Sequence, residues 1–406
     1  MATTIAAPEQ ASTEQRDQFL AFVADQETYA VVDQVIGEMM LPNAAIREGT
    51  VKDAVKYLSE HRSPKLLLVD LSDSELPLSD INSLADVCEP GVTVVAFGQR
   101  NDCGLFRDLL QHGVADYLVK PVTPPLVQKA ILAASEQSGM VKSSHKLGKL
   151  VAVTGTRGGV GSTMLATNVA WLIAHERRRR VALVDLDLQF GTVALSLDLE
   201  PSHGLREALE NPNRIDGLFM DRVLVQHSER LFVLSAEESP DETLLLDYGA
   251  VELLMTELRN KFHYVVVDLP RSTSACTQQI LQSATDLLLV TDLSLAGMRD
   301  TMRIAGTLPT TNASCNTVLV VNRAGEHKQG EMPRAEFEKG VGRKLDLVLP
   351  FDAKTVAAAT NFGQPVAAGK GAVANGLRSV TERLCGAPAA AGDARSGVWQ
   401  KLLKKT

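Results

Sequence analysis

The sequence predicts an α/β protein made of two doubly wound parallel-sheet domains, one after the other. The chain of 406 residues is long enough for about two to three domains of ordinary size. Short apolar runs alternate with longer helix-like segments along most of it, which is the pattern of repeated βαβ units. A polar segment at residues 135–149, poor in large apolar side chains, separates two such series and is expected to be a linker.

The first series covers residues 19–134 and predicts a small five-stranded domain. Its expected strands are FLAFVA, a weaker run near residues 44–46, KLLLVD, VTVVAF and DYLV. Helix-like stretches such as VKDAVKYLSEH and CGLFRDLLQHG lie between them. Residues 1–18 are polar and rich in alanine, so we expect a flexible tail there.

The second series covers residues 150–385 and is the stronger of the two. Its expected strands are LVAVTG, RVALVDLD, RLFVLSA, YVVVDLP, DLLLVTD, TVLVVNR and DLVLPFD. Residues 386–406 are expected to be a tail that ends in GVWQKLLKKT. The apolar side chains of that ending share one helical face with lysines around it, a pattern typical of weak membrane contact or of docking on a partner.

Composition and charge exclude several classes of protein. With 45% hydrophobic and 22% charged residues the chain is not globally disordered, and no apolar run is long enough for a membrane span. Five cysteines, an odd number without metal-like spacing, indicate a reducing cytoplasm without disulfides or a zinc site. A net charge of −8 argues against general nucleic-acid binding. The arginine run at residues 177–180 is expected to be a solvated helix end, with DNA contact as the alternative.

A glycine-rich turn follows the first strand of the second series. It reads GTRGGVGST from Gly155 to Thr163 and leads into the helical stretch MLATNVAWLIAH. Strand, glycine turn and helix in this order form the setting in which backbone N–H groups bind phosphate. In the pattern G-x-x-x-x-G-K-[ST], Thr163 takes the Mg²⁺-binding hydroxyl position, but Ser162 stands where the pattern has lysine. The alternative is a βα turn that binds nothing.

Carboxylates end two of the expected strands of the same series. Asp185 and Asp187 follow one strand and Asp268 ends another. Because ligands bind at the carboxyl ends of strands in open α/β sheets, we expect these three groups and Thr163 to form a metal site. Asp187 is also the one candidate for a catalytic role, as the residue that positions a water molecule. The alternative is that the aspartates cap the helices that follow.

These motifs resemble those of the deviant Walker A ATPases related to ParA and MinD. The resemblance rests on TRGGVGSTM, LVDLDLQFG, VVVDLP, VTDLS and VVNR, and it covers about residues 150–383. It implies that ATP and Mg²⁺ bind at the loop and that a homodimer encloses the nucleotides. The nucleotide-binding residues that it implies are Arg157, Gly158, Gly159, Val160, Gly161, Ser162, Thr163, Met164, Asn322 and Arg323.

The loop departs from the pattern of that family, K-G-G-x-G-K-[ST]-[ST], at three positions. Arg157 takes the place of the signature lysine that crosses the dimer, Ser162 that of the loop lysine, and Met164 that of the last hydroxyl residue. A missing ammonium group at the β- and γ-phosphates removes charge stabilisation worth several kcal/mol in phosphoryl transfer. We therefore expect ATP binding with weak or absent hydrolysis.

The first series resembles the receiver domain of response regulators. Asp70 ends the third strand and Lys120 follows the fifth, which implies the positions of the phosphoacceptor and of the lysine that binds the phosphoryl group. The acidic pair of that family is reduced to Asp25, and Gly98 stands where it has threonine or serine. A halved acidic pocket binds Mg²⁺ weakly. We expect a degenerate phosphoacceptor pocket of Asp25, Asp70 and Lys120.

A receiver-like domain followed by a ParA/MinD-like domain is a combination that resembles the TadZ/CpaE family of pilus-assembly proteins. These proteins belong to tight-adherence (Flp, type IVb) systems. That resemblance implies a cytoplasmic, ATP-binding, homodimeric scaffold that is recruited to the cell pole or the inner face of the membrane. Its implied partners are components of the pilus machine such as a secretion ATPase. Two alternatives stay open: an ATP-hydrolysing positioning protein for DNA, division or flagella, and a phosphorylation-controlled response regulator.

Overall fold

Two separate parallel sheets organise the chain, which confirms the predicted fold class. The structure is a computed structural model, and it describes residues 17–140, 147–242, 247–327 and 329–386. The amphipathic ending of the sequence lies outside these residues. None of the helices described in them is both long enough and apolar enough to cross a membrane.

The first sheet has five strands in the order β2-β1-β3-β4-β5, and every neighbouring pair is parallel. The strands are β1 (Phe19–Val23), β2 (Ala44–Glu48), β3 (Leu66–Asp70), β4 (Thr93–Gly98) and β5 (Val114–Val119). The helices are α1 (Gln26–Met39), α2 (Val51–Glu60), α3 (Pro77–Val87), α4 (Cys103–Gln111) and α5 (Pro124–Met140). Helix α5 thus includes residues 135–140, which the sequence analysis places in the linker.

Helices cover both faces of this sheet. Leu20 and Phe22 pack towards α2 and α3, whereas the alternate residues Phe19 and Ala21 pack towards α1 and α5. Every residue of β1 and β3 is buried, as expected for central strands of a parallel sheet covered on both sides. The apolar runs FLAFVA and KLLLVD have no polar alternation for this reason.

The second sheet has eight strands in the order β13-β12-β11-β6-β10-β7-β9-β8. The strands are β6 (Lys149–Gly155), β7 (Val181–Asp185), β8 (Val225–Gln226), β9 (Leu231–Leu234), β10 (Tyr264–Asp268), β11 (Asp286–Thr291), β12 (Asn316–Ala324) and β13 (Leu347–Pro350). Neighbouring strands are parallel except for β8, which pairs antiparallel with β9. Strand β8 was not predicted from the sequence because two residues are too few to show a pattern.

The helices of the second domain form a layer on each face of this sheet. They are α6 (Ser162–His175), α7 (Val193–Ser196), α8 (Gly204–Glu210), α9 (Gly217–Val223), α10 (Tyr248–Lys261), α11 (Ala275–Ser283), α12 (Leu295–Thr311), α13 (Arg334–Val341), α14 (Ala353–Asn361) and α15 (Ala372–Cys385). Side chains of α6 and α15 share one core with the sheet, and those of α10 and α11 lie in the core on the other face. Helix α6 is buried at most of its positions, so the loop that precedes it is anchored in the core.

The two domains contact each other through the edges at which their strands begin. Arg180, directly before β7, bonds through Nη1 to Glu89 Oε2 at 3.1 Å, and Glu89 precedes β4. Arg62, before β3, contacts the same carboxylate at 3.3 Å. The guanidinium carbon of Arg180 also lies 5.1 Å from the ring centre of Phe232 and 5.0 Å from that of Phe262. Arg180 is therefore part of a buried junction, and the expectation of a solvated helix end was wrong for it.

His263 completes this junction as a neutral side chain. Its Nδ1 accepts a hydrogen bond from the Arg180 amide at 3.2 Å, while its Nε2 lies 3.4 Å from the carbonyl oxygen of Val87 in the first domain. Burial, assisted by the nearby Arg179, lowers the pKa of His263 to about 4. The ends of the strands, where ligands bind in such sheets, face away from this junction in both domains.

Candidate functional site

The glycine-rich loop between β6 and α6 has the backbone conformation that its glycines permit. Gly159 and Gly161 have φ angles of 78° and 89°, which only glycine adopts without strain. The loop is held from the side of β12, because Asn322 Nδ2 donates to the Val160 carbonyl at 2.8 Å. Arg323 Nη1 donates to the Gly159 carbonyl at 2.7 Å. With these carbonyl groups bound, the loop is fixed in one shape next to the start of α6.

Asn322 and Arg323 thus have a role that the sequence analysis did not expect. The resemblance implies that they bind the nucleotide, and in the structure their side chains bind the loop backbone. Asn322 is buried, and a side chain at Gly161 would come within 2.5 Å of its Nδ2 atom. Any side chain at that position would therefore displace either Asn322 or the loop.

A cavity of about 440 Å³ lies between the loop and the segment that follows β13. Met164, Phe351 and Val356 give it mainly apolar walls, and Asn322 and Arg323 add polar edges. Its size and its apolar lining with few polar groups are typical of small-molecule sites. Met164, which takes the last hydroxyl position of the family loop, is therefore part of the wall of this cavity.

Arg157 lies on the other side of the loop, at a cavity of about 190 Å³. Its Nη1 donates to Ser294 Oγ at 3.1 Å and lies 3.3 Å from Asp292 Oδ2. Both partners follow β11, in the segment VTDLS, and Ser294 caps α12 by accepting a bond from the Gly297 amide. In the sequence, VTDLS is only a family motif, and nothing in its pattern predicts a contact with Arg157.

Asp268 and Thr163 form the part of the predicted metal site that the structure brings together. The two side chains lie close enough for Thr163 to lower the pKa of Asp268, and Asp268 Oδ1 is buried without a hydrogen-bond partner. Burial, with the neighbouring Asp185 as the second cause, raises the pKa of Asp268 to about 7. A cation would satisfy such an oxygen, and Mg²⁺ sites commonly combine one or two protein oxygens with phosphate oxygens and water. The two side chains therefore fit Mg²⁺.

Asp185 and Asp187 mainly hold the turn after β7. Asp185 accepts from the amides of Asp187 at 3.0 Å and Val193 at 3.1 Å, and Asp187 accepts from the Phe190 amide at 3.1 Å. Burial, partly offset by these hydrogen bonds, raises the pKa of Asp185 to about 6. Within the described part of the chain, no three His, Cys, Asp or Glu side chains form a group that could hold a metal ion. The predicted metal site of four residues therefore does not form as a carboxylate cluster.

Comparison with known proteins finds relatives of the second domain. Residues 148–321 match the family described as AAA domain. The chain is 25% identical to the septum site-determining protein MinD of Bacillus subtilis, over 59% of the chain and 90% of that protein. The fold of MinD from Pyrococcus horikoshii, solved with Mg-ADP, matches with a TM-score of 0.52 and 20% identity, over 60% of this chain and all of that one. The second domain is thus similar to the ATPase domains of the ParA/MinD family.

A partial match extends to a pilus-assembly protein. The structure of CpaE from Caulobacter crescentus is 35% identical, covers 29% of this chain and 92% of that one, and has a TM-score of 0.27. Because the match to the AAA domain ends at residue 321, the segment after β13 that forms one wall of the larger cavity lies outside it.

The predicted phosphoacceptor pocket of the first domain, around Asp70, is closed by its own side chains. Lys120 Nζ bonds to both Asp25 and Asp70. Asp70 Oδ1 accepts from Ser72 Oγ at 2.6 Å and from the Ser72 amide at 2.9 Å, and its Oδ2 accepts from the Ala24 amide at 2.9 Å. The structure thus brings together the three predicted residues, and both oxygens of Asp70 are occupied.

Tyr117 fills the place next to this pocket where receiver domains have a hydroxyl residue. A Cβ atom at Gly98 would lie 2.2 Å from the Tyr117 hydroxyl oxygen. That hydroxyl donates to the Arg100 carbonyl at 3.0 Å, so the ring is held in place. The Tyr117 ring therefore leaves room only for glycine at position 98. No side chain at that position of β4 can contact a phosphoryl group in the Asp70 pocket.

We expect Asp70 to resist phosphorylation. The Asp70 oxygens must break their bonds to Ser72 and Lys120 before one of them can attack a phosphoryl donor. Asp25 is also the one acidic residue where receiver domains have a pair, which weakens Mg²⁺ binding. The full chain, treated with acetyl phosphate and Mg²⁺ and measured by intact mass, should show no stoichiometric phosphoryl adduct. Asp70→Asn is the matched control, and an adduct on the wild type that this variant loses would contradict the expectation.

Proposed function

We propose that the protein is an ATP-binding scaffold that localises and assembles a tight-adherence (Flp, type IVb) pilus machine. The observation that carries the proposal is the loop of the ATPase domain, which keeps its glycine conformation but has Ser162 at the lysine position. A site that lacks this lysine favours ATP binding over ATP hydrolysis. The closed Asp70 pocket supports a structural role for the first domain. The combination of the two domains resembles the TadZ/CpaE family.

The geometry supports binding of ATP with Mg²⁺ at this loop. The start of α6 and the loop amides would bind the phosphates, as helix N-termini do. Thr163 and Asp268 would hold Mg²⁺, which when bound neutralises charge on the phosphate oxygens. The cavity lined by Met164, Phe351 and Val356 would take the base. The relative from Pyrococcus horikoshii was solved with Mg-ADP, which supports this pair of cofactors.

A homodimer through the nucleotide face is part of the proposal. Arg157 takes the position that crosses such a dimer in the ParA/MinD family, and its guanidinium can bind phosphate oxygens in a bidentate way. In the structure the same group contacts Ser294 and Asp292 of its own chain. Exposed ion pairs contribute only about 0–1 kcal/mol, so these contacts do not prevent Arg157 from reaching a second subunit.

Sedimentation with and without Mg-ATP tests the dimer. We expect Mg-ATP to shift the wild type from monomer towards dimer at about ten micromolar, because nucleotide bound between subunits stabilises the dimer by mass action. Arg157→Ala should weaken this shift, and Arg214→Ala, which removes another exposed arginine, is the matched control. A wild type that stays monomeric with nucleotide, or an Arg157→Ala dimer equal to that of wild type, would refute this arrangement.

The role in pilus assembly has its own test in cells. Loss of the gene should abolish surface pili, and a fluorescent fusion should gather at the cell pole or at the inner face of the membrane. The expected partner is a component of the pilus machine such as the secretion ATPase, and the segment GVWQKLLKKT is the proposed weak membrane contact. Unchanged piliation in the deletion strain would refute this role.

A second candidate is an ATP-hydrolysing positioning protein of the MinD type. The likeness to septum site-determining proteins favours it at the level of the family, and Asp187 is then the residue that would position the attacking water. Fast turnover that Asp187→Ala abolishes would favour this candidate over the scaffold. The closed Asp70 pocket speaks against the third possibility, a phosphorylation-controlled regulator.

A further inference from the structure

An unusual surface lies on the solvent side of helix α12. Leu295, Arg299, Met302 and Arg303 are spaced so that they share one face of the helix. Leu295 is 68% exposed and Met302 46%, although both are large apolar residues. We call these four residues, together with Arg271 from the loop after β10, the α12 face. Solvent faces of helices normally carry mixed charges, so this composition needs an explanation.

The charge of the α12 face is strongly one-sided. Arg271, Arg299 and Arg303 all point their guanidinium groups at one carboxylate, that of Asp300, at distances of 3.0, 2.9 and 3.9 Å. Asp300 is buried, whereas the arginine side chains are 56%, 66% and 73% exposed. One carboxylate can neutralise only one of three arginines. The face therefore keeps an excess positive charge on a chain whose net charge is −8.

We propose that the α12 face is a docking surface for an acidic amphipathic segment of a partner protein. Its carboxylates would pair with the exposed arginine groups, and its apolar side chains would cover Leu295 and Met302. Charge complementarity and the exposed apolar pair together define this partner. Arginine and methionine are both enriched in protein–protein interfaces, and arginine is frequent among the residues that dominate binding energy.

The apolar pair favours a protein over a nucleic acid. Contacts to a nucleic-acid backbone are made by charged and polar groups, and they leave apolar side chains such as Leu295 and Met302 uncovered. A segment with alternating acidic and apolar residues satisfies both components of the face. This docking surface lies on residues that the nucleotide site does not use, so it is tested independently of the proposed function.

The experiment measures binding of a fluorescein-labelled peptide to the full chain. The peptide spans about five helical turns and presents glutamates and leucines at helical spacing. The test variant is Leu295→Ser with Met302→Ser and Arg303→Glu, which keeps the two arginines closest to Asp300. The matched control variant is Leu253→Ser with Arg107→Glu, which changes an exposed leucine and an exposed arginine elsewhere. Thermal unfolding of both variants verifies that they are folded.

We expect the test variant to bind the peptide about tenfold more weakly than wild type, a loss of about 1.4 kcal/mol, and the control variant to stay within about twofold. A second peptide with serine in place of leucine should also bind wild type about tenfold more weakly. Equal binding by the test variant and wild type would overturn the proposal, as would equal binding of the two peptides. Labelled duplex DNA that binds as tightly as the first peptide would assign the face to nucleic acid instead.

Discussion

Steady-state turnover of Mg-ATP by the wild-type protein should be far below about 1 per second, the lower end of typical enzyme rates. Ser162 offers no positive charge where developing negative charge on the β- and γ-phosphates needs it. Ser162→Lys should therefore raise turnover by about tenfold or more, since one charged hydrogen bond in a transition state contributes a few kcal/mol. Release of inorganic phosphate at saturating Mg-ATP measures both rates.

The matched control for this prediction is Ser162→Met, which adds length at the start of α6 without adding charge. Its turnover should equal that of wild type, because the expected gain comes from the ammonium group and not from filling space. Fast hydrolysis by the wild type would contradict the scaffold function. A lysine variant that binds ATP but remains slow would show that other departures, such as Arg157 or Met164, limit the reaction.

Arg180→Ala should lower the free energy of unfolding by about 3 kcal/mol. The substitution removes an arginine that pairs with the buried carboxylate of Glu89 at 3.1 Å, and with it the guanidinium group that lies against Phe232 and Phe262. Glu89 keeps Arg62 at 3.3 Å, but losing one of the arginines that compensate a buried carboxylate costs far more than losing an exposed partner. Urea unfolding followed by circular dichroism gives the difference.

Arg178→Ala provides the matched control for that experiment. Arg178 lies two residues earlier in the same arginine run and also pairs across the junction, with Glu60 at 3.4 Å, but both partners are exposed. Its removal should change the unfolding free energy by less than about 1 kcal/mol. Equal effects of the two substitutions would mean that the junction around Glu89 is not a buried ion pair in solution.

The strands and the glycine loop could be predicted from the sequence because they depend on local pattern. Runs such as KLLLVD and YVVVDLP are apolar throughout since central parallel strands are covered on both faces. The conformation of the loop follows from its own glycines, whose positive φ angles few other residues adopt.

The contacts that close or hold the two sites could not be predicted in this way. Tyr117 fills the space at Gly98 because β4 and β5 are neighbours, and Arg157 meets Ser294 because β6 and β11 are neighbours. Both pairs are far apart in the chain and depend on the order of strands. The burial of Arg180 depends on the docking of one domain on the other, which no pattern in the arginine run indicates.

The way in which the two domains meet has a consequence for assembly. Because they join through the edges where their strands begin, the nucleotide edge and the Asp70 edge face away from the junction. A dimer formed across the nucleotide would therefore carry its two first domains at opposite outer ends, related by a two-fold axis. Such a particle is bivalent. It could hold two copies of a partner at once, and the second would bind at the raised effective concentration that the first contact creates.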